Sequence, residues 1–464
     1  MDSLYRNLKP PFGIKDKLGY LFGDFGNDFT FILSSSFLLK FYTDVMGVAP
    51  WIVGLVMTFA RFVDGFTDVT MGRIADRSRN TSHGKFKPWI FRMAAPVAIS
   101  SFLIYQSGFA GSSMAFKIVW LVVTYILWGS VFYTSINIPY GSMASSISAD
   151  PEDRQSLSTF RTMGSTLAGV IVGAGIPLFA YDKLNGNTVL NGPRFTLIAG
   201  IFSILAIVCY MLCFVLTTER VVSEGAGKVQ PSVKVMLKNA FENRALISII
   251  VGSIVMLLAQ LTMQSMSNYI YPNYYGNVEA QSAATLAMMG GMVIAAAVAK
   301  PLARRFGKAE ISAASNLLST AVCILLFAIR PKNVWIYVAI NFASWFGLGI
   351  FAMVSWALIT DVIDDAELRN GQREDGTIYA LYSFARKLGQ ALSAGLTGAL
   401  LSAIGYSDKT AFDEGVLEGV YDISTLVPAL GFGVLAIILW FWYPLHKSKV
   451  EDNVRRLEIK HREA

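Results

Sequence analysis

The chain has 464 residues, 54% of them hydrophobic, 13% aromatic and only 15% charged, with mean hydropathy +0.49 and net charge +7. A soluble domain carries about 25% charged residues, so the composition excludes a water-soluble enzyme and reads as a polytopic membrane protein. The positive surplus says little about nucleic acid, and no nucleic-acid partner is expected; its meaning lies in which loops hold it.

The N-terminal stretch MDSLYRNLKPPFGIKDK is too polar for a secretory signal, so the first apolar segment is expected to remain as a span. Spans of about 20 residues, longer where polar positions line a cavity, predict twelve helices. They fall at 17–44, 50–74, 88–108, 116–143, 153–181, 195–218, 243–272, 281–303, 310–329, 333–360, 376–405 and 424–444. An even number puts both termini on one side. Of the 39 Lys and Arg, about 27 fall on that side and about six opposite, so the positive-inside rule makes the termini cytoplasmic in the cell (inner) membrane. Residues 219–242, polar and rich in Ser, Gly and Lys, read as a cytoplasmic linker between bundles at 1–218 and 243–446, with a charged tail at 447–464. Two six-helix halves predict an all-α, pseudo-symmetric transporter with its substrate site at their interface. Cys209, Cys213 and Cys323 lie in apolar runs without metal or disulfide spacing and read as packing residues.

Ionisable residues inside spans cost at least about 2.5 kcal/mol each and point to function. In the second span, ARFVDGFTDVTMGR sets Asp64 and Asp68 four apart on one helical face, a candidate site for Na+ or a proton. Arg61, three residues earlier, offers the alternative of a structural ion pair. In the first span Asp28 falls near mid-membrane, whereas Asp24, nearer the cytoplasmic end, reads equally as a solvated or capping residue and as a functional one. YTSINIPYGS in the fourth span offers Tyr133, Thr134 and Asn137 at a depth comparable with the two acids. Arg161 in the fifth span and Arg386 and Lys387 in the eleventh nearly balance the acids, which fits a central polar cavity; Trp356 and Tyr379 offer apolar faces to a sugar ring. The turns carrying Asp76 and Arg77, and DVIDDAELRNGQREDG, read either as latches or as solvated loops. His83, His446 and His461 join no nucleophile-and-base pattern, and no GxxxxGK[ST] loop occurs, so neither catalysis nor ATP drive is indicated.

Taken together, GDFGND, FYTDVMG, ARFVDGFTD, GKFKPW, NIPYGS and RxxGxxYxxYSFxRKxGQA (Arg373 to Ala391) resemble the glycoside–pentoside–hexuronide:cation symporters, the melibiose-carrier relatives within the major facilitator superfamily. The resemblance spans essentially the whole chain. It implies a cation site at Asp64, Asp68, Thr67 and Thr134, with Na+ a candidate occupant. It implies sugar contacts at Asp28, Asn137, Arg161 and Lys387, with Tyr133 and Trp356 as neighbours. Arg61, Asp76, Arg77, Arg373 and Arg386 are expected in gating or charge networks. The implied function is symport of a glycoside, pentoside or hexuronide with Na+ or H+ by a monomer using alternating access, with no cofactor beyond the coupling ion. Two departures bear on the cargo: Asn137 and Gly141 stand where the melibiose carrier has a carboxylate and a tryptophan, and DVIDDAE differs from the common DTVDYGE at Asp365 and Ala366. NIPYGS and Arg386–Lys387 look closer to glucuronide carriers, which can lack the acid matching Asp28. An amphiphile carrier on the same scaffold, or a sugar receptor that does not transport, remain the alternative readings.

Overall fold

The computed structural model describes residues 10–221, 243–370 and 375–463. The chain forms two compact units. The first contains α1 (Ile14–Asp44), α2 (Pro50–Asp76), α3 (Lys87–Ile104), α4 (Met114–Ile147), α5 (Pro151–Ala180) and α6 (Gly192–Leu216). The second contains α7 (Arg244–Tyr274), α8 (Val278–Phe306), α9 (Lys308–Ile329), α10 (Val334–Asn370), α11 (Asp375–Ala403), α12 (Glu414–Trp442) and a tail helix α13 (Lys447–Glu463). Among the described residues, nine of these helices are long and apolar enough to cross a membrane. Besides the tail helix α13, α1, α2 and α11 fall outside that set, and they carry Asp24 and Asp28, Asp64 and Asp68, and Arg386 and Lys387 respectively. The polar load is concentrated where function was expected.

The two units share one internal wiring. In the first, α1 packs on α5 and α6, α2 on α4, and α3 on α4 and α6. In the second, α7 packs on α11 and α12, α8 on α10, and α9 on α10 and α12, the same pairing displaced by six helices. Small residues permit the closest crossings: a Cβ on Gly164 of α5 would lie 2.6 Å from the Leu21 carbonyl oxygen of α1, and one on Gly347 of α10 would lie 2.4 Å from the Ser319 hydroxyl of α9.

Three segments differ from the sequence expectation. Residues between α5 and α6 form a hairpin, β1 (Tyr181–Leu184) with β2 (Asn187–Leu190), turned by Asn185 and Gly186 at positive φ. Asn-Gly is the residue pair that such a two-residue turn demands. α12 begins at Glu414, about ten residues before the expected start, because the Asp413–Glu414 pair serves as its N-terminus rather than as loop. α10 runs on through Asn370, so the stretch beginning DVIDDAE is helix, not a turn. Its acids are paired instead of solvated: Asp361, 5% exposed, accepts from Lys308 Nζ at 2.5 Å, and Asp365, 2% exposed, meets Arg369 at 2.7 Å and Asn453 of α13 at 3.0 Å. Arg373 lies outside the described residues.

Gly164→Val would drive a side chain into the α1 backbone, and overpacking of this kind costs about 1–3 kcal/mol. It is expected to lower the midpoint of thermal unfolding in detergent; a midpoint equal to the parent's would contradict the close α1–α5 crossing.

Candidate functional site

Asp64 and Asp68 lie near the middle of α2, and α4 answers each of them with a hydroxyl. Ser130 Oγ donates to Asp64 Oδ1 at 2.5 Å, and Thr134 Oγ1 donates to Asp68 Oδ1 at 2.9 Å. Both rungs join residues 66 apart, so α2 and α4 run parallel in register here. Four residues of rise separate successive rungs by about 6 Å. Around the first rung α4 adopts a π turn, Leu127–Tyr133, and the Thr134 N–H reaches back to the Gly129 carbonyl. Such turns widen a helix locally and recur at functional sites. Ser130 is 1% exposed and Thr134 4%. Arg61 completes the group: its Nη1 donates to Asp64 Oδ2 at 3.1 Å, and its guanidinium lies 5.0 Å from the centre of the Phe31 ring. Asp64 thus has one oxygen on an arginine and the other on a serine. The Thr67 hydroxyl is turned away from the pair, toward the backbone carbonyls of Val63 and Asp64.

A second polar group lies between α1, α4, α5 and α6. Asp24 is buried and meets Arg161 Nε at 2.9 Å, while the Arg161 guanidinium stands 5.3 Å from the centre of the Tyr140 ring. Asp24 is therefore the buried counter-charge of Arg161 rather than a solvated or capping residue. Asp28 lies one turn further along α1, with Ser165 of α5 near its carboxylate. Asn137 accepts at 3.4 Å from Asn27 Nδ2, and Asn27 accepts from the Tyr210 hydroxyl of α6 at 3.0 Å. The Tyr133 ring stacks at 5.6 Å on Phe31 and lies beside Trp128.

At one end of the first unit a carboxylate organises the turn between α2 and α3. Glu219 accepts backbone N–H bonds from Lys85, Phe86 and Lys87 at 2.7, 2.8 and 2.7 Å. Gly84 sits at φ +109°, and a Cβ there would fall 2.5 Å from the Glu219 carboxyl carbon. Arg220 binds both oxygens of Asp16, at 3.0 and 2.9 Å, and the Thr218 N–H adds a third bond. GKFKPW is thereby explained as a nest for an anionic side chain supplied by the segment after α6. Asp76 and Arg77 are exposed at the end of α2.

In the second unit Trp356 of α10 stacks on Tyr379 of α11 at 5.0 Å and meets Tyr382 edge-on. The Arg386 guanidinium lies 5.7 Å from the Trp356 ring centre and 6.0 Å from that of Tyr382. Lys387, the next residue, points elsewhere and is exposed. Adjacent helical residues diverge by about 100°, and Arg386 is the one set over the aromatic rings here.

The sequence expectation thus meets a structure that joins Asp64, Asp68, Thr134 and Arg61 in one cluster, keeps Asp28, Asn137 and Arg161 in the adjoining one, and puts Trp356 with Arg386. Several participants were not singled out. Ser130 is legible as the residue four before Thr134, matching Asp64 four before Asp68. Asn27 and Glu219 carry no such signal, since each acts on a partner more than a hundred residues away.

Two helical bundles wired alike, with ionisable residues on α1, α2, α5 and α11, have the architecture of a membrane transporter. The fold has solved counterparts: a bacterial homologue of the human lysosomal transporter Spinster superposes with TM-score 0.64 at 13% identity, over 94% of this chain and 98% of the other. The family of MFS/sugar transport proteins matches residues 19–447, and the chain belongs to it. The protein is therefore a multi-pass membrane transporter of major facilitator fold. Among its relatives, a glucuronide carrier protein homolog of Escherichia coli is 31% identical over 95% of this chain and 94% of its own length. An isoprimeverose transporter of Lactiplantibacillus pentosus is 29% identical over 99% and 93%.

Breaking a buried ion pair from one side costs about 3–5 kcal/mol. The Arg161 side chain is 41% exposed, so solvent screening lowers the expected cost of Asp24→Asn to about 1–2 kcal/mol. Thermal unfolding of D24N, R161Q and the double variant should show the double less destabilised than the sum of the singles; additive losses would deny the pairing.

Proposed function

We propose that the protein is a cation-coupled sugar symporter of the cell (inner) membrane, with both termini cytoplasmic, in which Asp64 and Asp68 take the coupling Na+ or H+. The observation that carries this reading is the pair of carboxylates held mid-helix by Ser130 and Thr134. Carboxylate and hydroxyl oxygens are the donors a hard cation prefers, and the same acids can accept a proton. The cargo is a sugar of the glycoside, pentoside or hexuronide class, in keeping with relatives named for a glucuronide and for isoprimeverose. Asp28, Tyr133, Asn137 and Arg161 in the first unit and Trp356 and Lys387 in the second are the proposed sugar contacts, and the carrier works as a monomer.

Arg61 gives the cation site a resident counter-charge. An arriving ion competes with the guanidinium for Asp64, so ion binding and the position of Arg61 are linked. Coupling between ion and sugar is reciprocal, typically 1–3 kcal/mol. Moving one charge down about 100 mV supplies roughly 2.3 kcal/mol, enough for about 50-fold accumulation at one ion per sugar.

Purified protein in liposomes, offered labelled glucuronides, isoprimeverose and simple pentosides under sodium or pH gradients, tests the proposal. One sugar should accumulate with one of the two gradients, and Asp68→Asn should remove the stimulation. Ion-stimulated uptake undiminished in D68N would sink the site assignment, and uptake indifferent to both gradients would sink symport.

A further inference from the structure

Neither hydroxyl on α4 is committed to its carboxylate. The Thr134 oxygen lies 2.9 Å from Asp68 Oδ1 and 3.2 Å from the Gly129 carbonyl oxygen. The Ser130 oxygen lies 2.5 Å from Asp64 Oδ1 and 3.5 Å from the Ala60 carbonyl oxygen. A hydroxyl has one proton to donate and two lone pairs to offer. Each of these two can keep its proton on the carboxylate or turn it onto a backbone carbonyl already in reach. In the second arrangement the oxygen presents a lone pair to the same space as the acid it has released.

We infer that Ser130 is a metal-cation ligand and the specificity-determining residue of the site, an assignment that rests on the cation-site reading above. Asp64 and Asp68 stand about 6 Å apart along α2, and a hard cation of calcium or sodium size takes oxygens at about 2.3–2.6 Å. One ion can therefore reach both acids when their side chains converge. Thr134 then supplies the third protein oxygen and Ser130 the fourth. The π turn Leu127–Tyr133 contains Ser130, which is 1% exposed and has Asp64 and the Ala60 carbonyl within reach of its hydroxyl. Ligand number sets the choice between cations of unlike size. Deleting one oxygen weakens sodium, which wants more ligands, more than lithium, which accepts fewer.

A serine that merely steadied Asp64 would leave that ratio alone. The test uses the full chain in detergent and in liposomes, with Ser130→Ala and Ser130→Cys beside the parent and Asp68→Asn. The cysteine nearly keeps the volume but offers a soft sulfur that hard cations avoid. For both Ser130 variants the sodium concentration giving half-maximal stimulation should rise about tenfold or more, the sodium-to-lithium ratio should fall, and sugar affinity at saturating sodium should stay at the parent's value. Half-maximal sodium and a cation ratio unchanged in both variants, while D68N loses its response, would overturn the role of Ser130 and leave the cation site standing. A D68N response equal to the parent's, or a parent that answers to pH alone, overturns the ligand assignment together with the metal-ion form of that site.

Discussion

Two carboxylates in the middle of a membrane helix impose the constraint on which the rest of the first unit depends. Neither can be left unsatisfied in a medium that offers no water. α2 therefore has to lie against a helix that donates hydrogen bonds at matching depth, and α4 does so with Ser130 and Thr134 in register. The π turn at that level, the guanidinium of Arg61 on the remaining oxygen of Asp64 and the Phe31 ring beside it are parts of the same solution. α1 and α5 meet the same need in another way, by setting Arg161 against Asp24.

The repeated wiring shows how one construction serves different loads. In both units the turn after the second helix contains a glycine at positive φ followed by lysine: Gly84–Lys85, and Gly307–Lys308. Each glycine is covered by a carboxylate that joins this turn to the chain leaving the sixth helix: Glu219 comes from that chain and binds the turn, whereas Glu310 comes from the turn and accepts from the Lys447 N–H of that chain. Only glycine fits where the backbone is left-handed and a carboxylate stands within van der Waals contact. The units part company along the second and fourth helices of each: α2 sets Asp64 and Asp68 against hydroxyls of α4, whereas α10 carries Trp356 with Arg386 over its ring. Conserving the ends while varying the middles keeps the packing and changes the chemistry.

Much of this was legible in the sequence because helical periodicity is strict. Asp64, Asp68 and Thr134 emerged from i, i+4 spacing and from comparing depths along parallel spans, and the same rule applied once more to Thr134 yields Ser130. What periodicity does not carry is pairing across the chain. For Asp24 the sequence left solvated or capping service level with function, because its partner, Arg161, is 137 residues away. Charge counts misplaced the end of α10: Asp361 and Asp365 suggested a loop, yet both lie in the helix, paired with Lys308, Arg369 and Asn453. GKFKPW was recognisable as a motif, but its physical reason, three amides on Glu219, appears only when the turn is folded.

The central claim is that Asp64 and Asp68 link ion movement to sugar movement, and the most direct measurement runs the coupling backwards. Proteoliposomes with equal ion concentrations on both sides, given an inward gradient of the transported sugar, should draw in radiolabelled sodium or protons against no ion gradient of their own, and the D68N protein should not. Sugar entering down its gradient with no accompanying ion in the parent protein would contradict the account.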